Sequence, residues 1–259
     1  MSEVNTSPLK TKKTALYILL IYMAFQLSSV LLIWIPPLRE YVFSLVEAPT
    51  VEEQVLILNG YWSTGAFALA TLFILIVISR DKNFWNVFKG PKSSPSEIIG
   101  WGILGFFLIY FGQILAVQVE MLIFGIEPGS DNTEQLGNIM KSAPIMILSA
   151  VIFAPILEEI IFRRVIFGSL IQNYNFWISA LVSGIVFAAI HLEFEHILLY
   201  AVCGLIFAYL YYKTKSIWTS IIAHMLLNGS VTLIQLNMEA ILKFFEKYEG
   251  LLAEGGIIV

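Results

Sequence analysis

Between Ile98 and Phe124 the chain passes through 27 residues with one charged side chain, Glu120. A helix that is apolar all round is buried or sits in lipid. About 20 such residues span the hydrocarbon core at roughly 1.5 Å each. Six further stretches read the same way: Ala15 to Ile35, Val55 to Ser79, Pro144 to Ile171, Trp177 to Leu192, Ile197 to Tyr212 and Ile217 to Leu236. Turn and charge signals separate them, among them Pro36-Pro37, Arg80-Asp81-Lys82, Glu127-Pro128-Gly129-Ser130-Asp131 and Lys213-Thr214-Lys215. Only 13% of the 259 residues are charged, against about 25% in a soluble domain. The expectation is an all-α, polytopic integral membrane helix bundle of seven transmembrane helices, or eight if the fourth stretch splits at Pro155. Past the last span, Met238, Ile241, Leu242 and Phe245 recur at helical spacing opposite Glu239, Lys243, Glu246 and Lys247. That pattern predicts a C-terminal helix lying in the interface. Three segments follow: residues 1–143 with the first three spans, a core of four spans over 144–236, and an amphipathic tail over 237–259.

Basic residues of short loops stay in the cytoplasm. With the N-terminus inside, the inner segments hold Lys10, Lys12, Lys13, Arg80, Lys82, Lys89, Lys92, Arg163, Arg164, Lys213 and Lys215, which is eleven of the fifteen Lys and Arg. The outer segments are acidic, with Glu40, Glu47, Glu52, Glu53, Glu127, Asp131 and Glu134. This predicts a multi-pass protein of the cell membrane with a cytoplasmic N-terminus. A net charge of −4 with no basic stripe excludes a nucleic-acid partner, and the single cysteine, Cys203, excludes an intrachain disulfide.

An ionisable side chain at membrane depth is by default a site candidate. Glu120, Glu193 and Lys213 lie near span ends, where they can snorkel to water. Glu158-Glu159 lie about fifteen positions into the fourth stretch and lack that escape. Consecutive helical residues point about 100° apart, so the two carboxylates face different neighbours. Glu159 and Arg163 are at i, i+4, the favourable order for a carboxylate and a cation, which neutralises Glu159 and leaves Glu158 free. Of three histidines, His191 falls in the fifth stretch and His224 in the seventh, each with a companion one turn away, Phe187 and Asn228. A purely structural buried cluster would use the same residues.

A carboxylate in a poorly solvated site is a better base near neutral pH. Glu158, hydrogen-bonded to a histidine, can deprotonate a water for attack on a carbonyl. His224 and Asn228 can supply N–H groups to the resulting oxyanion. The same Glu158, His191 and His224 also describe a catalytic zinc site with an open position, although no His-Glu-x-x-His stretch is present. His191, Glu193, Glu195 and His196 form a weaker candidate metal cluster across a short turn. The only aspartates, Asp81 and Asp131, lie in loops, which removes an intramembrane aspartate pair. Ser183, Phe187 and His191 share a face, but Leu181 stands where rhomboid-type serine proteases place glycine.

Glu158-Glu159-Ile-Ile-Phe-Arg163, Phe187-Ala-Ala-Ile-His191 and His224-Met-Leu-Leu-Asn228 resemble the three motifs of the CPBP (Abi) family, intramembrane proteases related to the CAAX prenyl endopeptidase. Gly204 to Tyr209 and Thr214 to Trp218 are similar to the stretches between them, and the resemblance covers about Pro155 to Ser230. It implies peptide-bond hydrolysis of a membrane-associated peptide or protein within the lipid bilayer. Glu158 matches the essential glutamate, His191 its partner on water, and His224 with Asn228 the oxyanion site. Glu159, Arg163 and Phe187 match supporting positions. The family has been called metalloproteases, with zinc as the cofactor, and a metal-free glutamate mechanism has also been argued. Bacterial members include bacteriocin-immunity proteins. Arg164 and Ala188 depart from the family pattern where glycine is common. The site is expected to open toward the cytoplasm. Two other readings stay open: an immunity or scaffold protein without catalysis, and a proton or cation transporter.

Overall fold

The computed structural model describes the backbone of residues 12–254 and the side chains of 13–247. Lys10 and the end of the 237–259 tail lie outside the described residues. The described elements are helices: α1 Lys12–Gln26, α2 Val30–Trp34, α3 Pro36–Ser44, α4 Val51–Ser79, α5 Pro95–Val119, α6 Asp131–Ser142, α7 over 146–170, α8 Phe176–Ala189, α9 Ile197–Thr214, α10 Ile217–Leu236 and α11 Met238–Glu254. The chain is an all-α membrane helix bundle. Among the described residues α4, α5 with the π-helical turn that continues it, α9 and α10 are long and apolar enough to cross a membrane. The shorter α1 and α8 are apolar throughout. Phe107, Phe111 and Ile114 on one face of α5 are about 60% exposed, as suits a surface solvated by lipid.

Two of the apolar stretches fold differently from their sequence reading. The first is not one helix from Ala15 to Ile35. Beyond Gln26 the backbone tightens to i→i+3 bonds, Ser28 N–H to the Phe25 carbonyl at 3.1 Å and Val30 N–H to the Leu27 carbonyl at 3.0 Å. The Ser28 hydroxyl donates to the Phe25 carbonyl at 2.7 Å and accepts from the Trp62 indole at 3.0 Å, a side chain competing for helical backbone groups. The fourth stretch, by contrast, does not split at Pro155. Its helix widens to π register over Ser149–Phe153, where the Ala154 N–H bonds to the Ser149 carbonyl five residues back. In that register Pro155 would be the partner of the Ala150 carbonyl, and proline has no N–H to give. The Asn228 amide donates to that carbonyl instead, at 2.9 Å. After one α-helical turn, Ala154–Glu158, a second π segment runs over Glu159–Phe167.

Caps and cross-links show which helix ends lie together. Ser94 and Glu97 form a reciprocal capping box that starts α5, and Asn175 caps α8. At one end of the bundle Thr14 bonds Asp81 at 2.7 Å, and the Lys215 ammonium bonds the Lys89 carbonyl at 2.7 Å. This basic end carries the 80–94 and 213–216 loops. The opposite, acidic end carries the 125–130 loop and the 190–196 turn, joined through Ser130 and Glu193. Arg163 and Arg164 sit in α7 with 0% and 1% exposure, so they do not belong among the loop charges that obey the positive-inside rule. Arg164 donates from Nε to the Phe84 carbonyl and lies 4.2 Å from the Phe84 ring centroid, fastening the 80–94 loop beneath the bundle.

Helices α8 and α9 cross at close range, glycine on glycine. A Cβ at Gly204 would stand 2.6 Å from the Gly184 Cα, so small residues set this approach. Gly204→Ala is expected to cost about 1–3 kcal/mol by overpacking. Its midpoint in a thermal melt, followed by intrinsic fluorescence in detergent, falls accordingly. An unchanged midpoint contradicts the crossing.

Candidate active site

Helix α7 contributes the charged core of the site. Glu159 is fully buried and divides its two oxygens: Oε2 lies 3.1 Å from Arg163 Nε and Oε1 lies 2.9 Å from His224 Nδ1. The i, i+4 pairing expected from sequence is therefore present, and the second partner, His224, is an addition to it. Arg163 is also fully buried. Its Nη groups have no hydrogen-bond acceptor among the described residues, and its guanidinium carbon lies 4.7 Å from the Phe187 ring centroid and 5.0 Å from that of Phe207. The cation is thus held by one carboxylate and two aromatic faces. Glu158, on the other side of the His224 ring from Glu159, retains 13% exposure, and its Oε2 lies 3.6 Å from His224 Nε2. The imidazole of His224 is stacked on Phe207 at 4.5 Å, so it stands between two carboxylates with its plane fixed.

His191 does not lie on a helix. Helix α8 ends at Ala189, and the chain turns through Leu192 with φ of +60°. Fourteen residues rise about 21 Å, short of the core's roughly 30 Å, so the turn places His191 on the wall of the cavity rather than beyond the far surface. Its Nδ1 lies 2.9 Å from the Phe187 carbonyl. A carbonyl only accepts, so Nδ1 carries the hydrogen and Nε2 of the neutral ring is left with a lone pair. The Phe187 ring lies between the two histidines, 4.8 Å from His191 and 6.0 Å from His224. The structure therefore gathers Glu158, Glu159, Arg163 and His224 into one cluster, with His191 a turn nearer the acidic end. No hydrogen bond joins His191 to Glu158 among the described residues. Asn228 lines the same cavity with one of its two N–H groups committed to Ala150.

The cavity measures about 390 Å³ and is walled by Gln113, Leu136, Tyr200, His191, His224 and Asn228 among others. Its lining also includes Gly129, Ser130 and Asn132 of the acidic end.

Several polar groups act differently from their sequence reading. Glu120 does not snorkel: it is 2% exposed, lies 3.0 Å from His196 Nδ1 and accepts the N–H groups of Leu198 and Leu199 at 3.2 and 3.3 Å, capping α9. Ser183 donates to the Phe162 carbonyl at 2.7 Å and forms no dyad with His191. Glu193, expected to reach water, instead accepts from Ser130, Asn132 and Tyr200. Burial opposes its charge, yet these donors hold its carboxyl below the ordinary range. Tyr200 was not among the sequence candidates, because nothing in its spacing distinguishes it from other aromatic residues of an apolar helix.

Both site histidines are fixed at Nδ1 by an oxygen acceptor, the tautomer a zinc ion requires of its ligands. Glu158, His191 and His224 nevertheless do not close on one point, and among the described residues no three His, Cys, Asp or Glu side chains are grouped as ion ligands. The residues as arranged do not fit a zinc site.

Comparison with known proteins gives the arrangement a context. The profile of the type II CAAX prenyl endopeptidase Rce1-like family matches residues 140–230. YdiL of Bacillus subtilis, a candidate membrane peptidase, is 37% identical over 225 residues, covering 87% of this chain and 90% of its own. MroQ of Staphylococcus aureus, a membrane-embedded CAAX protease, is 37% identical over 188 residues, covering 70% of this chain and 76% of its own. No solved structure matches. The matched segment contains the whole Glu158–Glu159–Arg163–His191–His224–Asn228 set, and with similarity along nearly the full length of YdiL the chain belongs to the Rce1-like CAAX prenyl endopeptidase family of membrane peptidases.

Proposed function

We propose that the protein is an intramembrane endopeptidase of the cell membrane that hydrolyses a membrane-associated peptide or protein, with Glu158 as the base. The observation that carries this reading is the pair of carboxylates flanking His224 inside the bundle. Glu158, the partly exposed member, takes a proton from a water whose oxygen bonds to the substrate carbonyl carbon. His191, with a lone pair on Nε2, orients that water from the wall. The oxyanion receives the second amide hydrogen of Asn228 and the Nε2–H of His224, whose ring in this reading is protonated on both nitrogens between the two carboxylates. Glu158 then returns its proton to the amide nitrogen as the C–N bond breaks. Glu159 and Arg163 hold His224 in place, and Phe187 separates the two imidazoles.

The N-terminus is cytoplasmic in this reading, which sets the acidic end of the cavity on the outer side. CAAX-type substrates enter through the family name and through MroQ alone. The test is cleavage of self-quenched fluorescent casein by the purified protein. His191→Ala is expected to lower kcat about 100-fold or more, the usual worth of a positioned acid–base group. Proton flux in liposomes without any peptide fragment would favour the transporter reading.

A further inference from the structure

The carboxylate of Glu193, two residues past His191, takes donors from three places. The Ser130 hydroxyl donates at 2.9 Å, the Asn132 backbone N–H at 2.6 Å and the Tyr200 hydroxyl at 2.6 Å. The first two belong to the N-terminus of α6, the helix that closes one side of the cavity through Asn132, Thr133 and Leu136. The two ends of α6 are held by different means. At its C-terminal end Met140 is 3% exposed, and a Cβ on Gly60 of α4 would meet the Ala143 Cβ at 2.4 Å, so packing fixes this end. At its N-terminal end the Glu193 carboxylate is the fastening. The connection leading into it turns at Gly125, at φ of +69°, where the preceding helix is capped, and continues through Gly129. The third donor connects this fastening to the chemistry. The Tyr200 ring lies flat on the His191 imidazole, centroids 4.1 Å apart and planes 24° apart. Apart from its Nδ1 bond to Phe187, that ring contact and the Phe187 edge are what hold the imidazole.

We propose that Glu193 and Tyr200 are positioning residues: Glu193 latches the N-terminus of α6 over the cavity and, through Tyr200, sets the plane of His191 when α6 is closed. A substrate segment arriving from the acidic end displaces Ser130 and Asn132 from Glu193. The histidine regains its plane when the latch reforms over the bound segment. The coupling to catalysis rests on the reading of His191 given above, whereas the latch does not.

Two measurements on the full chain in detergent separate these claims. Hydrogen exchange at amides 131–136 is expected to rise about 10-fold or more in Glu193→Ala, with 146–170 as protected as in the wild type. In casein cleavage, Glu193→Ala and Tyr200→Leu are expected to lose about 10- to 100-fold in kcat with KM within about 2-fold, the scale of a misplaced catalytic group. Tyr200→Phe keeps the ring on His191 but cuts its tie to Glu193, so it is expected to lose kcat to the extent that Glu193→Ala does. Unchanged exchange at 131–136 in Glu193→Ala overturns the latch whether or not casein is cut. Wild-type kcat in Tyr200→Leu or in Tyr200→Phe overturns the positioning. If the wild type cuts no casein, the hydrolase reading fails and the exchange result alone decides the latch.

Discussion

Glu158→Gln is expected to abolish casein cleavage, lowering kcat by about 10²- to 10⁴-fold, while leaving the thermal midpoint close to that of the wild type. The substitution keeps the size of the side chain and removes the one carboxylate of the cluster that is not consumed by structure. Glu159 is spent on Arg163 and His224, and Glu120 on the first turn of α9. Among the described residues the one ion-pair contact of Glu158 is the 3.6 Å approach of His224 Nε2, and it retains some exposure. Rate and midpoint measured on one preparation decide the matter. Equal loss of rate and of midpoint would return Glu158 to a structural role.

Glu159→Gln has the larger expected effect on stability. It leaves the Arg163 cation fully buried without its carboxylate, a situation that costs about 3–5 kcal/mol. The rings of Phe187 and Phe207 offset part of that, at about 2 kcal/mol or less each. Arg163→Met alone leaves Glu159 buried with His224 as its remaining partner. The double variant removes both charges, and replacing a buried ion pair by apolar side chains is often neutral. The double variant is therefore expected to lose much less than the sum of the singles, as read in a double-mutant cycle of detergent unfolding. Additive losses would show that the two residues stand by separate means.

The membrane class and the residues of the cluster were legible in the sequence because both follow from scarcity: few charges, fewer at depth. The pairing of Glu159 with Arg163 followed from helical spacing alone, and the structure keeps it. Spacing misled where the helix was not regular. Pro155 reads as a break, yet the π register and Asn228 absorb it, because the partner that replaces the missing N–H lies 78 residues away. His191 reads as helical through its spacing to Phe187, but α8 ends two residues before it. Arg164 reads as an interfacial loop charge, and its partner, the Phe84 carbonyl, carries no sequence signal. The Glu193 fastening was hidden for the same reason, since its donors come from a loop, a helix start and an unremarked tyrosine.

The central claim is that Glu158 activates a water for peptide hydrolysis within the bundle. It is tested most directly by cutting casein in water enriched in heavy oxygen and weighing the fragments by mass spectrometry. The account predicts fragments from the wild type whose new C-terminal carboxylates carry one heavy oxygen atom, and no such fragments from Glu158→Gln. Labelled fragments in equal yield from Glu158→Gln would contradict it.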